Sequence, residues 1–222
     1  MSFPRRVEAV VFDMDGLLLD TETVYRAAMI EAGPVFGLDF TAATYAALVG
    51  KSNAETAVLM EGLFGADFPR EAYFQRVWDD VEAMLEAELR LKAGVLELLD
   101  HLDDLRLPRA IATSNGPASV ERYLGRFDLR KRFDAVVTNV DVARHKPHPD
   151  PYLEAALRLG VDPAACLALE DSHPGVRAAH AAGMMTVMVP DILDPNEEMH
   201  DKCVHVADSL HVVLDLLKAM AD

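Results

Sequence analysis

The stretch VVFDMDGLLLDTE, Val10 to Glu22, runs an apolar segment straight into two aspartates one residue apart, Asp13 and Asp15, followed by Gly16 and a run of leucine. Carboxylates this close repel each other, and apolar surroundings raise the cost of ionising either one. Placing both at the end of a buried strand calls for a cation, and a divalent metal is the first candidate.

Short, nearly continuous apolar runs recur further along, at Ala9–Phe12, Ala110–Ala112, Ala135–Val137, Cys166–Leu169 and Thr186–Val189. Continuous rather than alternating hydrophobicity marks strands covered on both faces, as in a parallel sheet. Helical patterns separate the later runs: Pro117–Gly125, Pro151–Leu159 and Pro174–Ala182 each open with proline, which the first helical turn tolerates. Asp150 is the expected N-cap of the second, and Gly160 and Gly183 suit the ends of the second and third. The alternation predicts an α/β fold, a Rossmann-like, doubly wound parallel sheet that the first strand, near residues 7–13, joins.

Between that strand and the alternation lie stretches of a different kind, TETVYRAAMIEAG and REAYFQRVWDDVEAMLEAEL, helical in pattern and without a convincing buried strand. The expected organisation is therefore a core built from residues 1–16 and 92–222 with an inserted α-helical cap domain at 17–91, the chain returning near Lys92-Ala93-Gly94. The acids of WDDVEAMLEAE read as a solvated helix face, and Met184, Met185 and Met188 as core filler.

Composition sets the outer limits. A chain of 222 residues with 51% hydrophobic content can bury a large core. A net charge of −16 argues against a general nucleic-acid or anionic-lipid surface, although a local positive site can still hold a small anion. Cys166 and Cys203 are the only cysteines, and Cys166 lies in the apolar run CLAL, so buried free thiols in a reducing compartment are expected. The basic start MSFPRR is followed by Glu8 and Asp13 rather than a signal-peptide core, and no uncharged apolar stretch approaches the ~18 residues that span a bilayer. The expectation is a cytoplasmic, soluble monomer with no nucleic-acid or membrane partner.

In such a sheet, ligands bind beyond the carboxyl ends of the strands. The first strand delivers Asp13 and Asp15 there; the second Thr113-Ser114-Asn115-Gly116, a cradle for phosphate oxygens near a helix N-terminus; the third Asn139-Val140-Asp141 and then Arg144-His145-Lys146-Pro147; the fourth Glu170-Asp171. A phosphoryl-transfer site uses these groups well. Asp13 can attack phosphorus to form an aspartyl phosphate, while Mg2+ and Lys146 offset the gathering negative charge. Asp15 can protonate the leaving alcohol and then deprotonate the attacking water. Asp13, the backbone carbonyl of Asp15, and Asp171 are a sensible protein share of a Mg2+ shell, with Glu170 as a direct ligand or acting through a water. His145, His148, His173 and His180 lack convergent metal-ligand spacing and are left unassigned.

These motifs resemble those of the haloacid dehalogenase-like hydrolases: Asp13-Met14-Asp15-Gly16 matches the first, Thr113 or Ser114 the second, Lys146 in HKPHPDPY the third, and Glu170-Asp171 in LEDSHPGV the fourth. The resemblance covers nearly the whole chain. It implies a Rossmann-like core with a helical cap, Mg2+ as cofactor, and aspartyl-phosphate chemistry with Asp13 as nucleophile and Asp15 as acid and base. Thr113 is preferred as the second-motif hydroxyl, with Ser114 and Asn115 as further phosphate donors.

The wording is most similar to the subgroup that holds β-phosphoglucomutase, hexose-phosphate phosphatases and pseudouridine-5'-phosphatase. The resemblance implies a phosphomonoesterase acting on a small metabolite, a sugar phosphate or a nucleoside monophosphate. A phosphosugar mutase is the alternative, though mutases of the subgroup place an arginine in the cap loop where Asn53 follows Ser52 here. A dehalogenase needs neither Asp15 nor the Glu170-Asp171 pair. A non-catalytic binder of phosphorylated ligands predicts loss of Asp13, Asp15 or Asp171, and all three are present. Thr21 and Glu22, just after the first motif, and the loop Gly50-Lys51-Ser52-Asn53 are the candidates for substrate selection.

Overall fold

The computed structural model describes residues 3–49 and 53–219, with the side chains of residues 53 and 54 left out. The chain divides into two compact units, one formed by Met1–Leu19 with Leu91–Asp222 and the other by Asp20–Arg90.

The first unit is built on a six-stranded parallel sheet: β1 (Ala9–Phe12), β2 (Arg109–Ala112), β3 (Ala135–Val137), β4 (Cys166–Glu170), β5 (Met185–Met188) and β6 (His205–Val206), in the order β3-β2-β1-β4-β5-β6. The strand order reverses at β1, which pairs with β2 on one side and β4 on the other. In open α/β sheets the crevice for ligands forms at such a reversal. The two faces are packed differently. One face presents Ala9, Val11, Ala110, Ala112, Ala135 and Ala168, side chains small enough to let helices approach closely. Successive residues of a strand point to opposite faces, so the other face carries the larger Val10, Phe12, Ile111, Leu167 and Leu169, all fully buried.

The second unit is helical: α1 (Thr21–Ala32), α2 (Ala42–Leu48), α3 (Asn53–Phe64) and α4 (Arg70–Glu88), with α1 against α2 and α4. Its centre is Tyr73, whose ring lies within 6 Å of Phe36, Phe40, Phe68 and Phe74 and whose hydroxyl donates to the Met29 carbonyl at 2.7 Å. Thr41 and Thr44 form a reciprocal capping box that starts α2. The expected solvated face of α4 is present, held by Arg76–Asp80 and Gln75–Asp79 pairs one turn apart.

The remaining helices belong to the first unit: α5 (Val95–Leu105), α6 (Pro117–Arg126), α7 (Asp150–Leu159), α8 (His173–Ala181), α9 (Glu197–Lys202) and α10 (Leu210–Lys218). α7 packs on β1, β2 and β3, and α8 on β4 and β5. The alanines and Tyr152 of α7 join the small-residue face of the sheet. Gly160 ends α7 in the left-handed region at φ 68°, as expected, but the N-cap expectation for Asp150 is corrected. Pro149 takes the cap position with helical dihedrals, so the helix starts one residue earlier. Asp150 falls within the first turn, where it pairs with Arg144 at 3.0 Å instead of capping. Met184, Met185 and Met188 are core residues, and both cysteines are free, with burial pushing each thiol up to about 11. Among the described residues, no helix is long and apolar enough to cross a membrane.

The exit of β3 is fastened to α7 through Asp141. Its carboxylate accepts from the Thr138 amide at 2.7 Å and the Thr138 hydroxyl at 2.6 Å, and pairs with Arg158 at 2.7 Å. Arg158 and these Thr138 donors hold the Asp141 carboxyl at about 2, below its ordinary value. A depressed carboxyl pKa contributes stability above the unfolded value of about 4 that is lost as pH falls through the folded value. Asp141→Asn is expected to lower the urea-unfolding free energy at pH 7 by about 1–2 kcal/mol, allowing for solvent screening. The difference from wild type should shrink between pH 4 and pH 2; a penalty that does not change with pH would assign the loss to packing instead.

Candidate active site

Three strand ends and one crossover loop meet beyond the carboxyl edge of the sheet. Asp13 follows β1 directly, and its amide donates to the Leu169 carbonyl of β4 at 2.9 Å, which sets it beside the end of that strand. Glu170 is the last residue of β4 and is fully buried; Asp13 is 6% exposed. Lys146, from the loop between β3 and α7, reaches both: its ammonium is paired with Asp13 Oδ1 and lies 2.5 Å from Glu170 Oε1. The Lys146–Pro147 peptide is cis.

Glu170 is held on every side. Oε1 also accepts from the hydroxyl of the fully buried Tyr152 at 2.7 Å, and Oε2 accepts from the amides of Asp171 and Ser172 and from the Ser172 hydroxyl at 3.0–3.1 Å. Ser172 in turn caps α8 by accepting from the Gly175 amide at 3.2 Å. The ring of Tyr152 lies 5.2 Å from the Lys146 ammonium, close enough for a cation–π contact.

Burial disfavours charge on all of these groups, yet they do not respond alike. For Lys146, burial works against the charge, but the Asp13 and Glu170 carboxylates outweigh it and hold the ammonium above the ordinary lysine value. For Glu170, burial is offset by Lys146 and by the donated hydrogen bonds, and its carboxyl sits below the usual range. Asp13 goes the other way: burial raises it, and Glu170 and Asp15 add to the rise that Lys146 opposes. The two carboxylates differ because Glu170 has the Tyr152 and Ser172 donors beside Lys146, whereas burial and neighbouring acids act on Asp13 against Lys146.

Asp171 adds a third. Asp13, Glu170 and Asp171 bring one carboxylate oxygen each within 4.8 Å of one another. Three hard oxygen donors in a largely buried site, with Lys146 the cationic side chain paired with two of them among the described residues, form a set that suits a divalent metal such as Mg2+. Gly16 makes the arrangement sterically feasible: it sits at φ +75°, and a Cβ there would lie 2.2 Å from Asp171 Oδ2.

At the end of β2, Thr113 is buried and its hydroxyl donates to Asp15 Oδ2 at 3.4 Å while accepting from the Asn115 amide at 3.0 Å. The Asn115 side-chain amide also donates to Asp15 Oδ2. Ser114, between them, is exposed. The structure therefore brings Asp13, Lys146, Glu170 and Asp171 together in one group and sets Thr113 and Asn115 on Asp15. Glu22 lies in the helical unit, where its carboxylate accepts from the Tyr45 hydroxyl at 2.6 Å. Gly50 and Lys51 lie outside the described residues; Asn53 opens α3, with its side chain not described.

Tyr152, which touches the group, and Asp191, next to Gly16, escaped the sequence reading. Tyr152 sits in the stretch HKPHPDPY, and a helix starting at its prolines turns that tyrosine inward. Asp191 follows β5, and the strand-end rule applied once more would have reached it.

Fold and site define a Rossmann-like α/β core with an acid-rich centre at the sheet's reversal point. Comparison with known proteins gives the family: the family model described as haloacid dehalogenase-like hydrolase matches residues 10–189, and the chain belongs to that family. It is 36% identical over 186 residues to fructose-1-phosphate phosphatase YqaB of Escherichia coli (strain K12), covering 83% of this chain and 97% of that one. It is 33% identical over 195 residues to hexitol phosphatase B of the same organism, covering 86% of each. The crystal structure of CbbY from Rhodobacter sphaeroides in complex with phosphate is similar with a TM-score of 0.72 and 28% identity, covering 92% of this chain and 95% of that chain.

The tight packing around Glu170 is open to test at Gly175, where a Cβ would lie 1.7 Å from Glu170 Oε1. Gly175→Ala is expected to displace the buried carboxylate from Lys146 and to cost about 3 kcal/mol or more in denaturant unfolding. A cost below about 1 kcal/mol would mean that the loop yields without disturbing the ion pair.

Proposed function

We propose that the protein is a Mg2+-dependent phosphatase of small phosphorylated metabolites, with sugar phosphates as the favoured class, working through an aspartyl phosphate on Asp13. The observation that carries this reading is the buried Asp13–Lys146–Glu170 group with Asp171 beside it. The names of the relatives support the substrate class: two of them act on phosphorylated sugars or hexitols.

Asp13, Asp171 and the backbone carbonyl of Asp15 would hold the metal. Both oxygens of Glu170 are already engaged by protein donors, so Glu170 is assigned the role of fixing Lys146 and the Asp171 loop. When bound, the metal supplies positive charge against the carboxylates and the phosphoryl oxygens.

Asp13 attacks phosphorus, forming the O–P bond of the aspartyl phosphate as the ester O–P bond breaks. Asp15 gives its proton to the departing alkoxide oxygen, then removes a proton from the water that cleaves the acyl phosphate and returns Asp13 to a carboxylate. Thr113 and Asn115 hold Asp15 Oδ2 for these transfers, and Lys146 orients Asp13 and faces the phosphoryl charge. Ser114, exposed at the same strand end, is the hydroxyl left to meet the phosphate. Helices α1–α4 are read as the cap that chooses among esters, with Glu22, Gly50, Lys51 and Asn53 as the positions to vary.

The test is phosphate release from hexose 1- and 6-phosphates, hexitol phosphates, nucleoside 5'-monophosphates and pseudouridine 5'-phosphate, with and without Mg2+. Release is expected to stop on chelation, to fall to background in Asp13→Asn, and to drop by about 10²–10⁴ in Asp15→Asn. Conversion of β-glucose 1-phosphate to the 6-phosphate without phosphate release would replace this reading with the mutase. Metal binding without turnover on any phosphate ester would leave a ligand-binding relative.

A further inference from the structure

Asp191, in the loop after β5, has its two carboxylate oxygens in unlike environments. Oδ1 accepts from the Lys92 ammonium at 2.7 Å, in an ion pair whose side chains are 27% and 15% exposed. Lys92 is itself tied down by its backbone amide, which donates to the Leu18 carbonyl at 3.0 Å. Oδ2 is buried and has no hydrogen-bond partner among the described residues. A buried carboxylate oxygen without a donor is costly, so its position calls for a reason.

Its surroundings supply one. The point 3.4 Å from Asp191 Oδ2 where a Cβ on Gly16 would stand is also 2.2 Å from Asp171 Oδ2. Two carboxylate oxygens therefore approach the same point beside a glycine in the loop that carries Asp13 and Asp15. The loop bearing Asp191 is held next to this site, because the Val189 amide donates to the Glu170 carbonyl at 2.7 Å.

We propose that Asp191 is a positioning residue for the divalent cation, and that its Oδ2 accepts a hydrogen bond from a water in the cation's coordination shell. Lys92 fixes the carboxylate through Oδ1, leaving Oδ2 directed over Gly16. Mg2+ keeps several waters when bound to proteins, and outer carboxylates that accept from them govern affinity. The inference rests on the reading of Asp13 and Asp171 as ligands of a divalent cation, and its test uses binding rather than turnover.

Mg2+ is titrated calorimetrically into metal-stripped wild type and Asp191→Asn, and the melting temperature of each is measured without metal. The substitution is expected to raise the Mg2+ dissociation constant roughly tenfold while the metal-free melting temperature moves by no more than a few degrees, since relief of the like-charge contact opposes the weakening of the partly exposed Lys92 pair. A residue that only holds the fold would lower that temperature and leave the Mg2+ dissociation constant unchanged. Asp194→Asn removes the same charge from an exposed position in the same loop and is expected to leave Mg2+ affinity unchanged. An Asp191→Asn constant within about twofold of wild type overturns the proposal, as does an equal loss in Asp194→Asn. Should Asp191→Asn not fold, Asp191→Ser is read by the same criteria. If wild type binds Mg2+ but hydrolyses no phosphate ester, the proposed phosphatase fails while calorimetry still decides the role of Asp191.

Discussion

The ammonium of Lys146, buried between Asp13 and Glu170, is the interaction on which the rest of the site depends. Leaving two carboxylates in this position without it would cost about 3–5 kcal/mol, because each would remain as an uncompensated buried charge or have to take up a proton. Meeting both carboxylates constrains three separate parts of the chain. β1 and β4 must be neighbours so that Asp13 and Glu170 emerge side by side, and the parallel register pairs Phe12 with Leu169 one residue before each acid. The β3–α7 loop must reach back over that edge, and its anchorage at Asp141 through Thr138 and Arg158 holds its base.

The packing of the sheet serves the same end. Alanines at 9, 110, 112, 135 and 168 make one face nearly smooth, and α7 lies close enough on it to bury Tyr152 completely. The phenol then reaches Glu170 while the ring stays near the lysine. Larger residues on this face would lift the helix and lengthen both contacts, whereas the opposite face, with Phe12, Ile111 and Leu169, accommodates bulk. A difference in side-chain volume between two faces of one sheet is thereby converted into the orientation of a charged group.

Much of this was legible in the linear chain because continuous apolar runs and proline-initiated helices are local signals. Five strands fall within a residue of their expected positions, and Asp13, Lys146, Glu170 and Asp171 meet because each sits at a strand end or in the crossover to one. The two-residue strand β6 carries too little pattern to be read. The cap of α7 was misplaced because Pro149 adopts helical dihedrals in a position where aspartate is the usual choice. Tyr152 was missed for a different reason: its role depends on its hydroxyl meeting one oxygen of Glu170, which neither spacing nor composition encodes, whereas Asp191, just past the end of β5, lay within reach of the strand-end rule. The choice between Thr113 and Ser114 is likewise a matter of burial, with Thr113 inside against Asp15 and Ser114 outside.

The charge balance carries the reasoning one step further. The chain as a whole bears −16, and the site gathers Asp13, Glu170 and Asp171 around a lysine already committed to two of them. Such a molecule offers no long-range attraction to a phosphate ester, and Lys146, the cationic side chain among the site's described residues, has little charge left over for a substrate. On the proposed reading, binding must then be governed at short range. A divalent cation among the carboxylates would reverse the local sign and also relieve Asp13, which burial holds above the ordinary carboxyl value. The same cation that would stabilise the acids as a group would therefore make the site receptive to an anion, which links the repulsion first seen in the opening stretch of sequence to the substrate class the fold would serve.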